Sequence, residues 1–119
     1  VDLIVIDLVG YDIHIDGSFQ MVDRDLALVD PFGLPYSFLE KLKELKVRTI
    51  EITPADNKWI INSLAVAPGE LIMPEGATNR TLDLMASHGL TWTILPYDRM
   101  QLNGGGIHCS TTPLIRDPV

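Results

Sequence analysis

The sequence repeats itself at a spacing of 44 residues. FQMVD at 19–23 aligns with SLAVA at 63–67, and LALV at 26–29 falls over LIM at 71–73, with no gap between the two matches. In both copies the two apolar runs are separated by a short turn, which is typical of a pair of strands. One such unit cannot bury its own faces, so units of this kind stack or close around an axis.

Each copy continues into a helical pattern. In the first copy, Ser37 and Glu40 have the spacing of a capping box, which predicts a helix that starts at Ser37. Apolar residues three and four positions apart then define the face of the helix that packs against the core. The residues predicted on this face are Phe38, Leu42 and Leu45 in the first copy, and Leu82 and Ala86 at the aligned positions of the second.

A strand rich in β-branched and aromatic residues completes each copy, at 47–52 and at 91–96, and Gly89 is placed to end the second helix in a left-handed conformation. The pattern predicts an α/β protein of ββαβ units at about 18–52 and 62–96. A third unit is predicted to start near residue 105 and to place Cys109 in a strand. Because no linker divides residues 1–119, we treat them as one partial domain.

Composition restricts the partners of the chain. Apolar residues make up 46% and charged residues 21%, which is the balance of a folded protein. The net charge is −7 and the nine basic residues are scattered, which argues against nucleic acid and anionic membranes. The apolar opening at 1–9 is interrupted by Asp2 and Asp7 and is too short to span a bilayer. The single cysteine excludes an internal disulfide and favours a cytoplasmic location.

Two clusters could carry chemistry, and the first contains His14 and Asp16. In an extended segment these two side chains would lie on the same side, because side chains alternate along a strand. Histidine transfers protons near neutral pH, and a carboxylate can bind a planar cation through two oxygens. The alternative is a surface histidine beside a solvated aspartate.

The second cluster is LNGGGIHCST at 102–111, where three glycines precede Cys109. The glycines allow a close backbone approach, and a thiol with a distant histidine is typical of a nucleophile pair. Cys109 lies two repeat lengths after Met21, so units arranged around an axis would bring it towards His14. The alternative is an inert, buried cysteine.

A metal site is not predicted. The candidate ligands do not have zinc-binding spacing, and His108 and Cys109 would face opposite sides of a strand. His88 is assigned to the last turn of the second helix, where its charge suits the helix dipole. The candidate ligands considered are His14, Asp16, His88, His108 and Cys109.

Taken together, the motifs resemble those of the amidinotransferase and arginine deiminase superfamily, which includes the dimethylarginine dimethylaminohydrolases. The resemblance covers nearly the whole chain, and it implies a five-bladed α/β propeller of ββαβ units, the pentein fold, of which this chain would be a C-terminal, partial ring. The matching segments are His14-Ile15-Asp16 with Phe19, MVDRDLALVDP at 21–31, LAVAPG at 64–69, and GGGIHCSTTPLIRDP at 104–118.

The resemblance also implies roles for three residues and no cofactor. Cys109 would attack the central guanidinium carbon to form a covalent amidino thioether, and His14 would protonate the departing amine. Asp16 would hold the guanidinium nitrogens. In the family, a further carboxylate upstream orients the histidine, and no aspartate before His14 lies at the expected distance. Other copies, or an N-terminal part of the same protein, are therefore the expected partners.

The resulting prediction is a hydrolase that acts on a guanidino compound of the arginine or methylarginine type. One alternative is an amidinotransferase, which passes the amidino group to an amine. A second is a non-catalytic binding module that keeps the fold. A third is a Cys–His hydrolase of esters or amides, which would use the glycine run as an oxyanion hole but leaves Asp16 without a role.

Overall fold

The structure of the protein, a computed structural model, describes residues 3–8, 10 and 13–116. It contains two units of identical strand order, each a three-stranded sheet with one helix. The first unit consists of β1 (Phe19–Asp23), β2 (Leu26–Val29), α1 (Tyr36–Glu44) and β3 (Arg48–Glu51). The second consists of β4 (Leu64–Ala67), β5 (Glu70–Pro74), α2 (Asn79–Ser87) and β6 (Thr91–Leu95), and a short helix α3 (Asp98–Gln101) follows.

Both sheets have the ββαβ order that the repeat predicts. In each unit the first two strands are antiparallel, and the helix carries the chain over to a third strand that is parallel to the second. The strand registers also coincide at the spacing of 44, since Met21 pairs with Ala27 and Ala65 pairs with Leu71. Each hairpin has its irregularity at the same place, just before the turn. Closure into a five-unit ring stays a prediction.

The helices are spaced differently from the strands. They start at Tyr36 and Asn79, a spacing of 43 rather than 44, because α1 starts seven residues after Val29 and α2 only six after the equivalent Met73. The buried positions of α2 are therefore Thr81 and Met85, which correspond to Phe38 and Leu42. The prediction that Leu82 and Ala86 occupy these positions was wrong: Leu82 is half-buried and Ala86 is exposed.

The start of α1 also differs from the prediction. The helix begins after Pro35, and no side chain caps it, so the predicted capping box at Ser37 does not form. Proline suits this place because its ring fixes φ near the helical value. Leu45, predicted to face the core, lies past the last helical residue and is exposed. In α2, by contrast, the Thr78 side chain accepts a hydrogen bond from the Thr81 backbone N–H at 3.3 Å.

Both helices end in a left-handed residue. Lys46 follows α1 with φ 59°, and Gly89 follows α2 with φ 80°, as predicted for Gly89. Glycine adopts this conformation without strain, whereas lysine does not. The two positions are 43 residues apart, which is the spacing of the helices.

Two apolar clusters hold the fold together. One lies between the sheet of the first unit and α1, and includes Ala27, Val29 and Phe38. The other joins the units, because Val22, Leu26, Leu28, Ile50 and Ile52 of the first pack with Ile60, Ile61, Leu71, Met73, Met85 and Leu90 of the second. The sheet of the first unit is thus buried on both faces, and its strand β2 is buried at every position.

Candidate active site

A short 3-10 turn at Ile15–Gly17 places Asp16. The turn closes when the backbone N–H of Ser18 donates to the carbonyl of Ile15 at 2.9 Å. His14 precedes it in an extended conformation. The prediction that His14 and Asp16 share one side of an extended segment was therefore wrong, because the chain turns between them.

Cys109 also lies in a 3-10 turn, at His108–Ser110, and not in the predicted strand. Backbone N–H groups of Ser110 and Thr111 donate to the carbonyls of Ile107 and His108 within the turn, at 3.1 and 3.0 Å. These local bonds take the place of a strand ladder. The turn leaves Cys109 exposed to solvent, and the third unit predicted to start near residue 105 shows no strand between Leu95 and Arg116, all of which are described.

The two turns meet at the carboxylate of Asp16. Its Oδ2 lies 2.8 Å from the Nδ1 of His108 and accepts a longer hydrogen bond, of 3.5 Å, from the Sγ of Cys109. The turn explains why both side chains reach one oxygen. In a strand they would face opposite sides, as the sequence analysis assumed.

Asn62 forms hydrogen bonds with both turns. This residue is fully buried, in the link between a 3-10 turn at Lys58–Ile60 and β4. Its amide Nδ2 donates to the Sγ of Cys109 at 3.2 Å and to the backbone carbonyl of Asp16 at 3.1 Å. Its Oδ1 accepts the backbone N–H of Cys109 at 3.0 Å, and its own carbonyl accepts that of His108 at 2.9 Å.

His14 is exposed, and its imidazole makes no hydrogen bond within the part of the chain that the structure describes. The imidazole that contacts the carboxylate is instead that of His108. Of the three predicted site residues, the structure brings Asp16 and Cys109 into contact, while His14 lies exposed two residues before Asp16.

The electrostatics of the site centre on Asp16. Partial burial by itself would raise the pKa of this carboxyl group, because it disfavours the charged form. Hydrogen bonds from His108 and Cys109, with the nearby charge of His108, outweigh burial and hold the pKa of Asp16 below its ordinary value. The site therefore presents a carboxylate beside a thiol.

Sequence reasoning missed Asn62 and assigned no role to His108. A signal for Asn62 was present, since it is the one strongly polar residue between Trp59 and Ser63 in the apolar run WIINSLAVA. A buried amide needs hydrogen-bond partners, so a polar residue in such a run indicates a specific contact. For His108 the wrong strand assignment concealed the contact.

Three further observations concern residues considered for the site. Within the described residues, no group of three or more His, Cys, Asp or Glu side chains could hold a metal ion. His88, predicted in the last turn of α2, directly follows its last residue as the C-cap, and its Nδ1 lies 2.9 Å from the carbonyl oxygen of Leu84. Among the upstream aspartates considered as partners of His14, Asp2 and Asp12 lie outside the described residues and Asp7 is exposed.

A cavity of about 500 Å³ lies away from this site. It is formed by the two hairpin turns and the end of the described chain, and neither Asp16, Asn62 nor Cys109 lines it. Cys109 is exposed to solvent, and the carboxylate of Asp16 lies partly buried beside it. The cavity is lined by Met21, Val22, Asp23, Arg24, Ala65, Val66, Ala67, Pro68, Ile115 and Arg116.

The arrangement suits a flat cation. An exposed sulfur is a soft nucleophile, and a carboxylate within 3.5 Å of it can bind N–H groups of a planar cationic ligand. A cation held there would also favour the thiolate form of the sulfur.

Within the residues that the structure describes, no helix is long and apolar enough to cross a membrane.

The sequence matches no protein-family model and no curated protein. Solved structures do match. SxtG, an amidinotransferase of the saxitoxin biosynthetic pathway from Microseira wollei, is 17% identical with a TM-score of 0.72, over 96% of this chain and 36% of its own. The inosamine-phosphate amidinotransferase StrB1 from Streptomyces griseus is 20% identical with a TM-score of 0.73, over 94% of this chain and 35% of its own.

The chain thus has the fold of part of an amidinotransferase and spans about a third of the length of these two structures. Identities of this size establish the fold, while the chemistry of the site has to be argued from its own residues.

Proposed function

We propose that this chain carries the nucleophile of an amidinotransferase, an enzyme that moves the amidino group of a guanidino donor to an amine. The observation that carries the proposal is the contact of an exposed thiol, Cys109, with the carboxylate of Asp16 at 3.5 Å. In a chain with the fold of amidinotransferases, this pair supplies a nucleophile and, next to it, a carboxylate that can bind the guanidinium cation.

The reaction would proceed in two steps on the same sulfur. The thiolate of Cys109 attacks the central guanidinium carbon, an S–C bond forms, and the C–N bond to the donor amine breaks. The departing amine takes a proton from His14, the exposed imidazole. An acceptor amine then attacks the same carbon and gives its proton to His14, and the S–C electron pair returns to sulfur. Asp16 holds the guanidinium nitrogens throughout.

Transfer is preferred over the hydrolysis that the sequence analysis favoured. Both compared structures are amidinotransferases, which supports an amine as the acceptor rather than water. Because those proteins are about three times as long, we further propose that contacts to the rest of the donor and acceptor come from additional units.

The test uses the protein with its additional units present, and supplies arginine labelled in its amidino carbon together with glycine as a simple amine acceptor. We expect label in a new guanidino product, and an intact-mass increase by one amidino group that is absent from Cys109→Ser. His14→Gln should slow transfer by about a hundredfold or more, as expected for the loss of a general acid.

The outcomes separate the alternatives. Label in a ureido product that forms without the amine would favour the hydrolase. Retention of the donor without turnover would favour the binding module. The absence of adduct, transfer and hydrolysis with guanidino compounds would refute guanidino chemistry at this site.

A further inference from the structure

We propose that Asn62 is a positioning residue that fixes the Cys109 sulfur and favours its reactive form. The proposal rests on the proposed function for its meaning in catalysis, although its test does not need a substrate. Asn62 makes two hydrogen bonds to Cys109, one to the sulfur and one to the backbone N–H, at 3.2 and 3.0 Å. Its third side-chain bond, to the Asp16 carbonyl, fixes the other half of the site.

Only an amide can make this set of contacts. The side chain must accept one hydrogen bond and donate two, and a primary amide combines an acceptor oxygen with two N–H donors. The group is fully buried, so water cannot replace a lost partner, and an unmatched polar atom there is costly. An N–H donor is also a better partner for an ionised sulfur than for a neutral thiol, since hydrogen bonds to ions are stronger.

The sequence of the second unit leaves the backbone carbonyl of Asn62 able to bind the turn that carries Cys109. In the first unit the equivalent residue is Ser18, and its carbonyl accepts the backbone N–H of Asp30 at 2.8 Å. The residue equivalent to Asp30 is Pro74, which has no N–H to donate. The Asn62 carbonyl instead accepts the N–H of His108 at 2.9 Å, which ties the cysteine turn to the second unit.

Gly106 permits the close approach. A Cβ built on this residue would lie 2.6 Å from both the Cβ and the Oδ1 of Asn62, so any side chain would push the amide out of place. Gly105 has a looser neighbour, since its added Cβ would lie 3.4 Å from the Cβ of Cys109. Within the glycine run, the space against Asn62 is therefore what requires glycine at 106.

The test compares two variants of Asn62 by the rate at which iodoacetamide alkylates Cys109 near neutral pH. Asn62→Asp keeps an oxygen for the Cys109 N–H but faces the sulfur with a second oxygen in place of the donor. Asn62→Ser introduces the residue that the first unit has at this position. We expect alkylation to slow by about tenfold or more in both, because a hydrogen bond to an ionised group is lost.

Thr81→Val is the matched control. It removes two side-chain hydrogen bonds away from the site, from Thr81 Oγ1 to Asp56 at 3.0 Å and from Thr78 Oγ1 to Thr81 at 3.2 Å, and leaves the contacts of Cys109 intact. Its alkylation rate should stay within twofold of the wild type, although its stability falls.

An alkylation rate within twofold of the wild type in either folded Asn62 variant would overturn the proposal. So would the loss of a cooperative unfolding transition in both variants, since Asn62 would then be a residue of the fold rather than of the site. Slower alkylation in a protein that transfers no amidino group would support the role of Asn62 and count against the proposed function alone.

Discussion

The two units share strand order and register, but the backbone carbonyl that precedes the first strand has a different hydrogen-bond partner in each unit. In the first, the Ser18 carbonyl is bonded within the unit, to the N–H of Asp30. In the second, Pro74 offers no such donor, and the equivalent carbonyl of Asn62 binds the turn that carries Cys109. The comparison teaches that one substitution in a repeated framework can redirect a backbone group from structure to a site.

The helices differ in a related way. Position 38 of α1 is a buried phenylalanine, which packs edge-on against Phe19 with ring centroids 5.2 Å apart. The equivalent position of α2 is Thr81, whose hydroxyl donates to the carboxylate of Asp56. The first unit is thus held by apolar packing and the second partly by a buried polar cluster.

The largest effect on stability is expected from substitutions at the two equivalent helix positions. Phe38→Ala should lower the free energy of unfolding by about 3–4 kcal/mol, because it removes a buried aromatic ring and leaves a cavity. Thr81→Val should lower it by less, about 2 kcal/mol, since it keeps the volume and loses two hydrogen bonds, one to Asp56 and one from Thr78. Urea denaturation measures both, and equal losses would contradict the comparison.

The second test uses pH. Burial opposes ionisation of Asp56, but hydrogen bonds from Thr78 and Thr53 outweigh it and lower the pKa of Asp56 from 3.8 to about 2. Because the folded-state pKa is the lower one, the carboxylate contributes stability above about pH 4, and this contribution is lost as pH falls towards 2. The loss should be about 2 kcal/mol.

Asp56→Asn supplies the control for the pH experiment. The difference in unfolding free energy between wild type and variant, measured in urea at several pH values, should shrink as the solution is acidified through the window from pH 4 to 2. A difference that stays constant across this window would show that the Asp56 carboxylate does not hold the second unit.

The smallest test concerns the residues that end the helices. Lys46→Gly should raise stability by about 0.5–1 kcal/mol, because lysine is strained at its φ of 59°. Gly89→Ala should lower it by about 1 kcal/mol for the same reason, and no atom lies within 4 Å of the added Cβ, so the effect is conformational. Thermal unfolding gives both shifts, and shifts of the same sign would contradict the equivalence of the positions.

The strands of the two complete units could be predicted from the sequence, whereas the strand expected at Cys109 and the faces of the second helix were predicted wrongly. Alternating strands fix the register strictly, because a slip of one residue exchanges the two faces of a strand. In α2, Leu82, Leu84, Met85 and Ala86 are all apolar, so the pattern does not show that the helix is shifted by one residue. The buried Thr81 conceals it further, since its burial depends on Asp56, which lies 25 positions earlier.

The candidate site was also predicted only in part. Cys109 and Asp16 were identified as residue types with the right chemistry, and the structure places them in contact. The position of the sulfur depends on Asn62 and Gly106, which act through a contact between distant parts of the chain. Such a contact leaves no periodic trace in the sequence, which is why reasoning from spacing alone did not find it.

The contacts within the site join parts of the chain that are far apart in sequence. Asn62 bonds to partners 46 and 47 positions away, and the bond from Cys109 to Asp16 spans 93. The entropic cost of closing a loop rises with its length, although slowly. The hydrogen bonds of the sulfur therefore carry a larger closure cost than the strand pairs within either sheet, which join residues closer in the sequence.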